Sequence, residues 1–267
     1  MKNMTKKRIC IDAGHGGSDL GAINNGMKEA DITLEVTRIL GLKLESAGFD
    51  IIYTRPDMNG KSTNSRWQYA NTQGADYYIS IHVNAGRGTG VETFYFRNNT
   101  ERSNRSENFA HYVNNFYAET MSLRNRGVKP DTQTHIGSIG VLRHTRMPAI
   151  LIELAFIDSP LNNPDVFILQ NRHNDMASAL LDGILRYSSI ETSNESEEAT
   201  SVLINSTLTL DILGNEQQIR GFIENGETFV RLTEFTSALG FATTWDAQRH
   251  IPVVSNYFSD SKYNSLS

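Results

Sequence analysis

The sequence predicts an α/β fold: a mostly parallel twisted sheet with helices on both faces, plus a small C-terminal α+β module. Three observations predict it. Short apolar runs alternate with stretches of helical periodicity through the first 187 residues. The composition then turns to Ser, Thr and Glu over residues 188–201. Beyond that stretch the apolar spacing becomes short and strand-like. A chain of 267 residues has room for one medium domain and one small one. The boundaries read as a catalytic domain at 1–187, a flexible linker at 188–201 that cannot bury a core, and a small module at 202–267.

Strand-like runs fall at residues 8–12, 50–54, 77–82, 91–96 and 149–154. Between the first two, Ile32, Val36, Ile39, Leu40 and Leu44 recur at helical spacing, so 31–47 is a helix. Asp31 suits its N-cap and Gly48 the glycine just past its end. A second helix is expected at 61–73. A third, at 106–123, carries Phe109, Val113, Phe116 and Tyr117 on one face, and a fourth, at 172–187, carries Met176, Leu180, Ile184 and Tyr187. In the tail, strands are expected at 202–205, 208–213, 218–223, 228–232 and 251–254. Asn225-Gly226 is a hairpin turn signal, and a helix at 233–239 ends on Gly240.

Composition excludes several function classes. A net charge of −5 argues against a dedicated nucleic-acid binder. The single cysteine, Cys10, rules out an intrachain disulfide, and its apolar neighbours mark it as a buried small side chain. No apolar run reaches the roughly 18 residues of a membrane span. The basic N-terminal residues lead straight into the first strand, without the apolar stretch of about 7–15 residues that a signal peptide needs. Synthesis in the cytoplasm without a signal peptide is therefore expected, with release needed before the protein reaches any target outside.

The chemistry-bearing residues share one placement. His15 lies just past the first strand, His82 at the end of the third, and Glu153 at the end of a later one. In open parallel sheets sites gather outside the carboxyl ends of strands, which puts all three on one rim. Glu29, just before the helix that follows the first strand, lies on the same rim. Two histidines and one carboxylate leave the fourth position of a tetrahedral zinc site open, the pattern of a catalytic centre. Zinc polarises a carbonyl and brings the pKa of water to about 7. A free carboxylate must then take the water proton and pass it to a leaving amine. Glu153, which follows Ile150, Leu151 and Ile152, suits that task. Asp12 either orients an imidazole or caps a loop. The glycines around His15 lack both the dinucleotide and the P-loop lysine patterns.

A set of motifs narrows this general zinc hydrolase. They are Asp12-Ala-Gly-His-Gly-Gly-Ser-Asp-Leu-Gly-Ala22, Gly26-Met-Lys-Glu-Ala-Asp31, Thr54-Arg55, Arg66 with Ala70-Asn71, Ile79-Ser-Ile-His-Val-Asn-Ala85 and Pro148-Ala-Ile-Leu-Ile-Glu-Leu-Ala-Phe156. In that order, across roughly residues 7–187, they resemble the zinc N-acetylmuramoyl-L-alanine amidases of the amidase-3 family. The resemblance implies hydrolysis of the amide between N-acetylmuramoyl and L-alanine in bacterial peptidoglycan. It implies one zinc ion bound by His15, Glu29 and His82, Glu153 as catalytic acid/base, and a substrate contact from Asn84. The chain departs from the family pattern at Ala30, where a lysine is usual, and at Ala155-Phe156-Ile157-Asp158-Ser159 in place of Gly-Phe followed by Ser-Asn. No implied ligand is lost.

Arg124, Arg126 and Lys129 read either as a solvated loop or as a contact for an acidic group of the stem peptide. His135 and His144 sit in a loop near the rim. The tail residues Asn225-Gly-Glu-Thr-Phe-Val-Arg-Leu232, Ala238-Leu-Gly-Phe241 and Trp245-Asp246 resemble the small domain at the N-terminus of copper amine oxidases, and a cell-wall-binding role is expected of them. The missing export signal favours a phage endolysin released through a holin. The alternatives are a host autolysin with the same activity, a zinc peptidase acting within the stem peptide, and a non-catalytic wall-binding protein. The full motif set disfavours the peptidase, and the intact Glu29 and Glu153 disfavour the last.

Overall fold

A computed structural model describes residues 6–134 and 137–197, and the segments 205–212, 215–224, 227–230, 241–246 and 251–256. Two compact units divide at Ser193/Asn194. In chain order the first contains β1 (Arg8–Ala13), a short hairpin of β2 (Ile23–Asn24) and β3 (Met27–Lys28), α1 (Glu29–Ser46), β4 (Asp50–Tyr53) and α2 (Thr63–Thr72). There follow β5 (Tyr77–Asn84), β6 (Val91–Tyr95), α3 (Glu101–Met121), β7 (Asn125–Pro130), α4 (Gly140–His144), β8 (Ala149–Phe156), α5 (Pro164–Asn171) and α6 (His173–Glu197).

The main sheet has the order β4-β1-β5-β8-β6-β7. β4, β1, β5 and β8 are mutually parallel. β6 runs antiparallel to β8 and parallel to β7, so the sheet is mostly parallel with a reversed edge. Alternation along each strand sends side chains to opposite faces. Ile9, Ile11, Ile79, Ile81, Ile150 and Ile152 pack with Leu40 of α1, Phe109 of α3 and Leu180 of α6. Cys10, Tyr78 and Leu151 pack on the other side with Ala70 of α2 and Leu142 of α4. Burial on both faces is why these strands read as continuous apolar runs.

Four expectations are corrected. α1 starts at Glu29, with Lys28 rather than Asp31 at the N-cap position. The hairpin sets that start: the Glu29 N–H donates to Ala22 O and the Ala30 N–H to Leu20 O, so the backbone enters the helix early. Gly48, at φ +98°, lies just past the helix end as expected. α3 begins at Glu101 rather than 106, because the Thr100 side chain caps it by accepting from the Ser103 N–H. Residues 125–130 form a strand, not a loop. As an edge strand carrying Arg126, Gly127 and Lys129, β7 shows no apolar alternation. α6 continues ten residues past Tyr187, through the first part of the expected linker. Glu191 is buried there and accepts from Arg105 Nε and Nη2, each at 2.7 Å, and from the Tyr187 hydroxyl.

In the second unit, β9 (Asn205–Ile212), β10 (Asn215–Glu224) and β11 (Glu227–Val230) form an antiparallel sheet, and β12 (Phe241–Asp246) pairs with β13 (Ile251–Asn256). β12 covers a stretch for which no strand was expected. Glu224 stands opposite Glu227. The Asn225-Gly226 turn between them, residues 198–204 of the linker and the helix expected at 233–239 lie outside the described residues. Among the described residues, no helix is long and apolar enough to cross a membrane.

Candidate active site

Past Ala13 the chain leaves the sheet, and His15 adopts a left-handed backbone conformation with φ 61°. Such a conformation is disfavoured for a residue with a side chain. Two buried arginines hold it. Arg55 donates to Ala13 O at 2.8 Å, to Gly14 O at 2.7 Å and to Ala30 O at 2.8 Å. Arg66 donates to Ala13 O and His15 O, both at 2.6 Å. The carbonyls around His15 and the first turn of α1 are thereby locked together.

Asp12 belongs to this anchor. Its carboxylate accepts from Arg66 at 2.6 Å, Ser80 Oγ at 2.7 Å and the Thr54 hydroxyl, and from no imidazole. Burial pushes its pKa up, and the Arg66 guanidinium with the two hydroxyls overrides burial, holding it below the usual carboxylate range. The residue that orients a histidine is Asp19. Its Oδ2 lies 2.9 Å from His15 Nδ1 and its Oδ1 accepts the Gly21 N–H at 3.0 Å. That leaves His15 Nε2 facing inward, the arrangement typical of a carboxylate behind a metal-binding imidazole.

Three of the expected residues converge. Glu29 Oε1 is 3.1 Å from His15 Nε2 and 3.0 Å from His82 Nδ1. The three potential ligand atoms all lie within 4.8 Å of one another. Backbone donors fix the carboxylate, the Val83 N–H on Oε1 and the Ala22 N–H on Oε2, both at 2.9 Å. Two glycines give the cluster its room. A Cβ on Gly14 would stand 2.5 Å from His82 Cε1, and one on Gly21 would stand 2.6 Å from Glu29 Oε2 and 2.7 Å from His15 Cδ2. The field here favours positive charge. Burial disfavours a proton on His15, yet Glu29 and Asp19 raise its pKa to about 9. Two imidazole nitrogens and one carboxylate oxygen around a common point suit a zinc ion, and the residues present fit it.

Glu153 stands beside His82 in register on β8. Neither residue ends its strand, as the sequence pattern had placed them: β5 runs on to Asn84 and β8 to Phe156. The register shifts between His82 and Asn84. Glu153 Oε2 is buried and has no hydrogen-bond partner among the described residues. Burial pushes the Glu153 carboxyl up to about 7, with His82 opposing and the charges of Glu29 and Glu92 adding to the rise.

Asn84 does not join the cluster. Its Nδ2 donates to Glu92 Oε1 at 2.7 Å and its Oδ1 accepts the Ala85 N–H at 2.9 Å. Sequence reasoning missed Glu92. The signal was the same one that exposed Glu153, a carboxylate inside an apolar strand. Glu92 Oε2 accepts from Arg126 Nε at 2.8 Å and Lys129 Nζ at 2.5 Å. These two cations therefore line the site rather than a solvated loop. A cleft of about 700 Å3 is lined by His15, Glu29, His82 and Glu153 together with Asn84, Glu92, Arg126 and Lys129. His144 lies elsewhere, with its ring centroid 5.2 Å from that of Trp67, and His135 is outside the described residues.

The family model described as N-acetylmuramoyl-L-alanine amidase, Amidase_3, matches residues 9–186. The chain belongs to this family. Among curated relatives, this amidase is 33% identical over 183 residues to the Bacillus subtilis protein YqiI, covering 68% of the chain and 84% of the relative. It is 35% identical over 154 residues to the sporulation-specific N-acetylmuramoyl-L-alanine amidase of Bacillus subtilis, 57% of each. To the endolysin of Bacillus phage SPP1 it is 32% identical over 185 residues, covering 67% of the chain and 65% of the relative. The N-acetylmuramoyl-L-alanine amidase from Clostridium difficile 630 superposes with a TM-score of 0.62 at 30% identity, over 69% of this chain and 97% of that one. The family match covers the catalytic unit and not the tail. That unit is a peptidoglycan amidase.

Proposed function

We propose that this amidase cuts the bond between the lactyl group of N-acetylmuramic acid and L-alanine with one zinc ion held by His15, Glu29 and His82, and with Glu153 moving the proton. The observation that carries the reading is the unpartnered, buried Glu153 Oε2 beside a three-ligand cluster. Zinc bound there supplies Lewis-acid polarisation of the scissile carbonyl and acidifies the attacking water. Asp19 fixes His15 through Nδ1 and leaves Nε2 for the ion. His82 turns Nδ1 to the same point. Glu153, whose carboxyl burial pushes above the ordinary carboxylate range, takes the water proton and delivers it to the departing alanine nitrogen. Asn84, held by Glu92 and by its own neighbour Ala85, is assigned the role of a substrate contact in this proposal.

Digestion of purified cell walls tests the bond. Amino groups of L-alanine are expected to appear without new reducing ends, and chelation is expected to stop their release until zinc is added back. New reducing ends would mark a glycosidase. New amines from residues other than alanine would mark a stem-peptide peptidase.

The likeness to the SPP1 endolysin supports a lytic role after release through a holin. The likeness to the sporulation-specific amidase supports the host autolysin reading, with the same chemistry. Expression in a bacterial cytoplasm separates the two: an endolysin lyses the culture when a holin is induced and not before. For the tail we propose cell-wall binding, which requires the full chain to sediment with purified walls better than a chain ending at Glu197.

A further inference from the structure

The β6–β7 wall of the cleft carries more positive charge than its own carboxylate cancels. Arg126 and Lys129 share one counter-charge, Glu92, which is 7% exposed, and both cations bond the same oxygen, Oε2. Arg126 also lies over the Phe156 ring at 4.8 Å and reaches Thr89 O with Nη1. Among the described residues, Arg126 Nη2 and two of the three Lys129 N–H donors have no partner. The trio has a formal charge of +1, with free donors at the cleft surface. Lys61, which also lines the cleft, stands before α2.

We propose that Arg126 and Lys129 read a free carboxylate on the leaving peptide, the α-carboxyl of the D-glutamate that follows L-alanine. The inference rests on the amidase reading above. D-Glutamate is joined through its γ-carboxyl in peptidoglycan, so its α-carboxyl is either free or amidated. It is the first ionisable group beyond the scissile bond and lies about 5–6 Å from the alanine nitrogen. Glu92 faces Glu153 directly across the β6–β8 pair, about one strand spacing or roughly 5 Å away, and the two cation heads lie one hydrogen bond beyond it, 2.8 and 2.5 Å from Glu92 Oε2. A guanidinium held over an aromatic ring has a restricted set of directions for its edge, which suits a carboxylate better than a neutral amide.

The test uses two muramyl tripeptides that differ only in D-glutamate against D-isoglutamine, with release of the alanine amine as readout. The full-length zinc-loaded enzyme is expected to favour the acid by about tenfold in kcat/KM. Added salt should shrink that ratio. Lys129→Met is expected to bring the ratio near one, and Arg126→Lys, which keeps the charge but loses the guanidinium's fixed planar edge, to retain only part of it. If Lys129→Met does not fold, the salt series on the unmodified enzyme decides. Equal kcat/KM for the two peptides at low salt overturns the inference and leaves the amidase reading standing, as does a ratio that Lys129→Met leaves unchanged. If neither peptide releases alanine amine, the amidase reading fails and the inference with it.

Discussion

Glu153 of β8 and Glu92 of β6 stand directly opposite each other in an antiparallel pair, and their environments drive them apart. Glu92 is held charged: burial raises its pKa, and Lys129, Arg126 and Asn84 bring it below its ordinary value. Glu153 has no such partners on Oε2, and burial raises it to about 7. Paired carboxylates with separated pKa values are how one site keeps a fixed charge and a mobile proton side by side. In the proposed mechanism the wall beyond Glu92 is then free to position, while Glu153 exchanges a proton.

Removing Glu92 should therefore damage more than one function. Glu92→Ala leaves Arg126 and Lys129 without their counter-charge and frees the Asn84 amide. Loss of one member of a mostly buried ion cluster costs about 3 kcal/mol. Urea unfolding is expected to show a destabilisation of that order, with kcat/KM falling as well. Unchanged stability would mean that the cations find other partners.

Gly14 tests the metal centre without touching a ligand. Its φ lies outside the left-handed region, so alanine there meets only a steric obstacle, the His82 ring at 2.5 Å. Gly14→Ala should push the imidazole away and weaken zinc binding at least tenfold, the scale seen when the support of a metal ligand is disturbed. Competition with a fluorescent chelator measures it. Unaltered zinc affinity in Gly14→Ala would show that His82 is not a ligand.

The Asp12–Arg66 pair makes a pH prediction. The folded-state pKa of Asp12 is depressed, so the pair contributes stability above the ordinary carboxylate pKa of about 4 and loses it as pH falls through the lower folded value. In Arg66→Met the opposing effect of burial dominates, the Asp12 pKa rises and its pH window moves upward. Thermal unfolding between pH 2 and pH 7, with chelator present throughout, should place the acid-side loss of stability at higher pH in Arg66→Met. Coincident profiles would contradict the pairing.

The end of the catalytic unit can be tested by shortening the chain. Ending it at Tyr187 removes Glu191, which binds Arg105 and the Tyr187 hydroxyl. Arg105 is partly exposed, so the loss is about 1–2 kcal/mol. A chain ending at Glu197 should melt a few degrees above one ending at Tyr187. Equal melting temperatures would place the functional end of the unit at Tyr187.

What could be read from the sequence follows from where its signals are local. His15 and His82 stood out because each breaks or follows an apolar strand, and the gathering of sites outside the carboxyl ends of parallel strands put them on one rim. Glu29 was visible beside a helix start, although the cap was misassigned because the hairpin that sets it has only two residues per strand. Arg126 and Lys129 were obscure because β7 is a polar edge strand whose partner is fixed by the sheet, not by its own pattern. The course of α6 past Ser188 depends on a tertiary partner, Arg105, 86 positions away from Glu191. Asp12 and Asp19 flank the same histidine. Only the fold decides that Asp12 turns to the arginine anchor while Asp19 turns to the imidazole.

The central claim divides labour between three residues that hold zinc and a fourth that moves the proton. Glu153→Gln tests it most directly, because it keeps the shape of the side chain and removes the proton carrier. The variant is expected to bind one equivalent of zinc and to lose about 100- to 10,000-fold in alanine-amine release from muramyl peptides. Turnover near that of the unmodified enzyme, or loss of the bound zinc, would contradict it.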